Sequence, residues 1–313
     1  GDFIPQCVLT NPLANGECGI DNNTAFGTFS PSSSTRDPGL SDGWFKRPYN
    51  WEFSLGVQRE ILPRVSMDVA YFRRIYGNLT VTENKAWDGR KGCGTGTDHS
   101  GGFDQFTGPA PLDSRLSGGG GYAIPGLYDR KQAFAGLPSL NNTTFSDNFG
   151  KQTEHWNGVD VSVNVRLRNG FLMQGGVSTG RTSTDNCEIV AVLPEISPTT
   201  PTGYCHADTA FLTQVKLLGA YTIPRFDILL SGTYQSIPGP ELAANQNVRA
   251  QDTTLGRLYA GGNANTTKAV NLVTPGSMYG ERVHQIDFRV GKVLKARGLR
   301  ATVNLDLYNL LNS

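Results

Sequence analysis

"WNGVDVSVNVRLRNGFLMQGGVSTGRT", residues 156–182, carries an apolar side chain at every second position in two runs. Val159, Val161, Val163, Val165 and Leu167 form the first; Phe171, Met173, Val177 and Thr179 form the second. Only Arg168, Asn169 and Gly170 separate them. The positions between are polar or small: Asp160, Ser162, Asn164 and Arg166, then Gln174, Gly176 and Ser178. Successive side chains of a strand point to opposite faces. The spacing therefore predicts a tight antiparallel hairpin with one oily and one polar flank.

The same pattern occurs three more times. Trp51, Phe53, Leu55, Val57 and Ile61 alternate with Glu52, Ser54, Gln58 and Glu60, and the chain returns through Val65, Met67, Val69 and Tyr71. A third pair runs through Phe211, Thr213, Val215, Leu217 and Tyr221, turns at Ile223-Pro224-Arg225 and returns through Phe226, Ile228, Leu230 and Tyr234. A fourth pairs Ile286, Phe288 and Val290 with Leu299, Ala301, Val303, Leu305 and Leu307. No segment sustains a 3.6-residue period, so the chain is expected to be all-β, with strand hairpins over 50–81, 156–182, 209–237 and 283–311.

Connection lengths alternate as strictly as the side chains. Links within hairpins are short, whereas those between hairpins span 82–155, 183–208 and 238–282, with 1–49 as a further loop region. In an up-and-down meander alternate connections share a rim. All short turns are then expected at one end and all long loops at the other, the arrangement of an outer-membrane barrel with short periplasmic turns and long extracellular loops. The runs exceed the about 9–11 residues that a tilted strand needs to cross hydrocarbon. Aromatics near their ends suit two interfacial girdles: Phe171, Tyr221 and Phe226 at the short turns, and Trp51, Tyr71, Tyr76, Trp156 and Tyr234 toward the long loops. The polar flank gathers Glu52, Glu60, Asp68, Asp160, Arg166, Lys216, Asp227, Asp287, Arg289, Arg300 and Asp306. A wet lumen accommodates such a set and a dry core does not. The expected fold is thus an antiparallel up-and-down transmembrane β-barrel, of which this chain supplies about eight strands. A soluble β-sandwich is the alternative.

The formal net charge of +1 gives no field to draw nucleic acid or another anionic partner. No run approaches the ~18 apolar residues of a membrane helix. The five cysteines stand at 7, 18, 93, 187 and 205 in loop sequence. Two short-range disulfides, Cys7 with Cys18 and Cys187 with Cys205, are expected, leaving Cys93 over; free thiols are the alternative. The chain opens at Gly1 without a signal peptide, so a processed product or a piece of a longer protein is expected.

The segments "RPYNWEFSLGVQREILPRVSMDVAYFRR", "EHWNGVDVSVNVRLRNGFLMQGGVSTGRT", "YCHADTAFLTQVKLLGAYTIPR" and "TVNLDLYNLLN" resemble the barrel of large TonB-dependent transporters. The resemblance is to the Oar-like branch, whose members begin with a carboxypeptidase-regulatory-like domain, and it extends over the chain at the level of strands and turns. It implies a Gram-negative outer-membrane receptor that binds a scarce solute and imports it when an energising TonB-type complex pulls on a plug domain. Eight strands against the family's usual twenty-two imply the C-terminal part of a barrel. Closure of the eight into a small barrel is the alternative. A structural or adhesive surface protein without transport is the rival function.

No enzyme is read here and no cofactor is called for. Cys205-His206 with Asp208, near Cys187 and Asp185, matches no strong zinc spacing. The run "SGGGGY" at 117–122 lacks the Lys-Ser/Thr and the strand–helix context of a phosphate loop. Asn-x-Ser/Thr sites at Asn22, Asn78, Asn141, Asn142 and Asn265 carry no meaning in a bacterial host. The candidate ligand contacts lie in loop 82–155, where Trp87, Phe103, Tyr122 and Tyr128 stand among Asp, Asn and Gly. Loops on a rigid scaffold concentrate function, and ordinary loop packing is the competing explanation.

Overall fold

The computed structural model describes residues 4–8, 10, 11, 13–20, 35–41, 46–94, 96–296 and 298–310. In chain order the strands begin with β1 (Thr35–Arg36), β2 (Tyr49–Leu62), β3 (Val65–Gly77), β4 (Thr80–Asn84) and β5 (Phe103–Pro109). They continue with β6 (Ala123–Arg130), β7 (Asn141–Phe145), β8 (Thr153–Arg166), β9 (Phe171–Asp185), β10 (His206–Asp208) and β11 (Gln214–Ile223). The last are β12 (Ile228–Ile237), β13 (Asn245–Arg249), β14 (Thr267–Asn271), β15 (Val283–Ala296) and β16 (Leu299–Leu307). Strands take 51% of the described residues and helices 12%, so the all-β expectation holds; no helix among them is long and apolar enough to cross a membrane.

The eight long strands form one sheet in the order β16-β15-β12-β11-β9-β8-β3-β2, every pair antiparallel. Each expected hairpin is present, and spatial neighbours are sequence neighbours. All four tight turns therefore lie on one rim and the long connections on the other. Each turn holds one residue in left-handed backbone: Arg64, Gly170, Asp227 and Gly298. Glycine takes that conformation freely and aspartate tolerates it, whereas Arg64 does so at a cost of about 1–2 kcal/mol. The sheet is open. Its two edge strands, β2 and β16, do not pair with each other, so closure of these eight strands into a small barrel is not what the chain adopts.

Register carries the apolar pattern across the strands. Val57, Val69, Val161, Val177 and Val215 stand on one line of Cα partners, and Phe171, Tyr221, Leu230, Val290 and Leu305 on another. Among the described residues no second sheet covers this face: Leu55 is 75% exposed, Val303 60% and Val159 38%. A β-sandwich would bury these rows, which removes that alternative. Of the expected girdle, Trp51, Tyr71 and Tyr234 do lie on the apolar face. Trp156 and Tyr76 do not: Trp156 pairs with Arg74 and Thr182, and Tyr76 is two residues from Arg74 on the same flank. Parity decides this, because Trp156 is an odd number of residues from Val159. The Trp156 ring lies over the bare backbone of Gly158 and Gly180, where an added Cβ would come within 2.1 and 2.4 Å of it.

The buried apolar residues among those described all lie outside the eight long strands, in the three long connections. Segment 82–155 folds as the hairpin β5–β6 and supplies β7, which lies between β4 and the β1 of the 1–49 region in a three-stranded sheet, and 238–282 folds as the hairpin β13–β14. Phe106, Leu116, Ile124 and Leu127 of the first connection share a core with Val248, Tyr259, Val270 and Leu272 of the last. A smaller core joins Phe149 to Ile189 and Leu193 at the helix α1 (Cys187–Val192). The loops are thus a folded cap. Cys7–Cys18 and Cys187–Cys205 are both disulfides, as expected from spacing. The second closes an 18-residue separation while β10 pairs with β9. Reducing it is expected to cost this connection about 3 kcal/mol, read as faster amide exchange over 186–205.

Candidate functional site

Two surfaces meet at the long-loop rim: the polar face of the sheet and the cap above it. Glu52, Glu60, Asp68, Asp160, Arg166, Lys216, Asp287, Arg289, Arg300 and Asp306 share the polar face, and Asp227 sits in a turn at the opposite rim. Much of this charge is satisfied within the sheet. Arg74 grips Glu52, Arg289 takes Asp306 through two nitrogens, and Lys295 holds Asp227 at 2.9 Å. Asp160 accepts the Ser178 hydroxyl, and Asp287 accepts the Gln285 amide at 3.0 Å and the Asn309 N–H at 2.8 Å. Cross-strand pairs this exposed contribute little stability each. What they do is hold the long side chains down, leaving a structured polar wall.

Trp87, proposed from sequence as a ligand contact, is only 3% exposed. Its ring stacks on Phe103 at 4.7 Å and on His99 at 6.2 Å, and it meets Phe134 at 5.4 Å. Phe103 in turn meets the edge of Tyr128. Tyr122 donates its hydroxyl to the Leu272 carbonyl at 2.9 Å, which ties the first connection to the last. The four candidates are therefore packed into the cap. Trp87 has no face to offer in this conformation, while Phe103, Tyr122 and Tyr128 remain half-buried.

His99 has no exposed surface and lies between two carboxylates. Its Nε2 is 2.9 Å from Asp88 Oδ1, and its Nδ1 meets Glu195 Oε1. Burial opposes charge on the imidazole, but the hydrogen bonds and charges of Glu195 and Asp88 outweigh it and raise its pKa. Glu83, near both, is pushed up mainly by burial against the Asn142 hydrogen bond. One oxygen of Glu83 and one of Glu195 are buried without a partner. A raised histidine pKa stabilises the fold fully below the ordinary value of 6.5 and loses that contribution as pH rises through the folded value. Glu83 acts in the same direction from its ordinary 4.5. The cap is therefore expected to loosen as the pH rises above 6.5. Amide exchange over 83–103 and 187–196 should accelerate with pH beyond its intrinsic dependence, and His99→Gln should flatten that excess.

Asp129 centres a second buried cluster and bonds to three groups of the 238–282 connection. Arg257 and Lys268 both pair with it, the latter at 2.8 Å, and the Ala260 N–H donates to it at 3.0 Å. Arg257 also reaches Asp104 at 2.7 Å, and Lys268 stands 5.0 Å from the centre of the Tyr259 ring. Burial, with Asp129 nearby, pushes the Tyr259 phenol up to about 12, so it stays a donor, to the Val248 carbonyl at 3.2 Å.

The two nodes, His99 and Asp129, were not singled out from sequence. Nothing local marks them, since their partners are up to 139 positions away (129 to 268). The Cys205-His206-Asp208 cluster resolves as the disulfide plus His206 at 3.1 Å from Asp185, and among the described residues no set of three ligating side chains is placed to hold a metal ion. Compared with protein-family models, curated proteins and solved structures, the chain matches none.

Proposed function

We propose that the eight long strands are a stretch of outer-membrane barrel wall. In this proposal the chain belongs to a TonB-dependent receptor, similar to the Oar-like group, that captures a scarce solute under the cap and imports it. The observation that carries the proposal is the location of the core. Every buried apolar residue described lies in the long connections, while the apolar rows of the sheet stay uncovered. In water such rows would be driven together; in hydrocarbon they are already solvated, and only the backbone must be satisfied. The two unpaired edges then require further strands beside β2 and β16, because an open edge is not tolerated in lipid. The opposite face keeps its charges in a watery lumen, partnered there by a plug domain. The paired Glu52–Arg74 and Arg289–Asp306 suit that setting.

Extraction tests the wall. Membranes carrying the complete gene product are expected to retain it through high salt and alkaline carbonate and to yield it to detergent. Release by salt alone would overturn the proposal. An upstream plug domain with a TonB-box supports import, whereas a barrel directly after a signal peptide favours the adhesive alternative.

A further inference from the structure

We propose that Lys216 and the glutamines around it form a subsite for the carboxylate of a small polar solute. This rests on the polar face being a watery lumen. Lys216 is the third residue of β11 counted from the cap-side end, so it lies about 7–10 Å below the rim at ~3.3 Å per residue. It shares a register line with Ser162, Gly176, Gln235 and Gln285. Arg74, Arg289 and Lys295 each hold a carboxylate, but the Lys216 ammonium makes no ion pair or hydrogen bond with any described residue. The side-chain amides of Gln174 and Gln214 are free of described partners too.

Three recesses converge on this ammonium. One of about 350 Å³ is shared with Asp160, Ser178 and Gln214. Another of about 460 Å³ is shared with Gln174, Gln235 and Asp287. The third, about 530 Å³, runs from Lys216 up to Glu241 and Tyr279 of the cap connection. Glu241 is occupied by the Gly276 N–H at 2.6 Å, and burial, with Glu241 beside it, keeps Tyr279 a neutral hydroxyl.

An ammonium without a protein counter-ion on a structured wall attracts an anion, and amides that donate and accept suit hydroxyl or peptide groups beside it. Asp160 and Asp287 stand on either side, each with a donor of its own and neither within 4.0 Å of the ammonium. Their charge disfavours polyanions and leaves a single carboxylate as the group that fits. Sugar acids and zwitterionic peptides both present it.

The test is binding of glucuronate, and separately of the dipeptide alanyl-alanine, to the complete gene product in detergent at millimolar concentrations. Glucose serves as the uncharged control. We expect at least one of the two acids to bind saturably, to weaken with salt and to lose about tenfold or more in affinity in Lys216→Gln. Lys216→Arg, which keeps the charge, should retain most of it. The responding acid identifies the source of the carboxylate. No saturable binding of either, or equal binding by wild type and Lys216→Gln, overturns the subsite. Carbonate extraction is independent: a protein that stays in the membrane while Lys216→Gln binds like wild type sinks the subsite alone. A protein released by salt sinks the wall and leaves the binding result to stand.

Discussion

Replacing Asp129 with alanine is expected to destabilise the cap by about 3–5 kcal/mol while leaving the eight-stranded wall in place. The Asp129 side chain is 2% exposed and serves Arg257, Lys268 and the Ala260 N–H at once. Its removal leaves Lys268 without a counter-ion and Arg257 with Asp104 alone, two poorly solvated cations beside a cavity where the carboxylate stood. Such a charge cannot relax to neutrality at Arg257, whose guanidinium stays protonated. Amide exchange is the measurement. Segments 103–130 and 245–271 should exchange faster, and 156–182 should not change. A joint change in wall and cap would mean that the two are one cooperative unit. Replacing all three partners with apolar residues (Asp129→Leu, Arg257→Met, Lys268→Met) should recover much of the loss, because a missing buried pair costs less than half of one.

Val161→Arg is expected to cost wall assembly about 2–4 kcal/mol, whereas Ser162→Arg, one residue away, should cost little. Val161 lies on the uncovered apolar line with Val69 and Val177; Ser162 lies on the polar line with Asp68 and Gly176. In a membrane the first substitution puts a guanidinium into hydrocarbon and the second puts it into water. The folded fraction of the complete gene product in membranes, read by heat-modifiable mobility, compares the two. Equal effects at 161 and 162 would remove the lipid from this face.

The hairpins were legible because a strand with one apolar and one polar face must alternate, and each alternation is local. Val159 to Leu167 and Phe171 to Thr179 needed no distant information, and neither did the tight turn at Gly170 between them. Trp156 shows the limit of using the pattern loosely. Position along the strand suggested a girdle, but the count from Val159 already assigned it to the polar face. Both disulfides were legible as well, since Cys7–Cys18 and Cys187–Cys205 are short-range pairs in loop sequence.

The cap was not legible. Phe106 packs with Tyr259, and Tyr122 bonds to Leu272, across separations that no local period encodes. The sequence by itself determined the strands, their two flanks and the rim on which they turn, because those follow from bonds and solvents met within a few residues. The tertiary structure alone decided that the long connections share a core, that Trp87 is enclosed, that His99 and Asp129 are buried among opposite charges and that Lys216 is left without one. Each of these depends on which distant side chain arrives at the site, and packing settles that only once the whole chain is assembled.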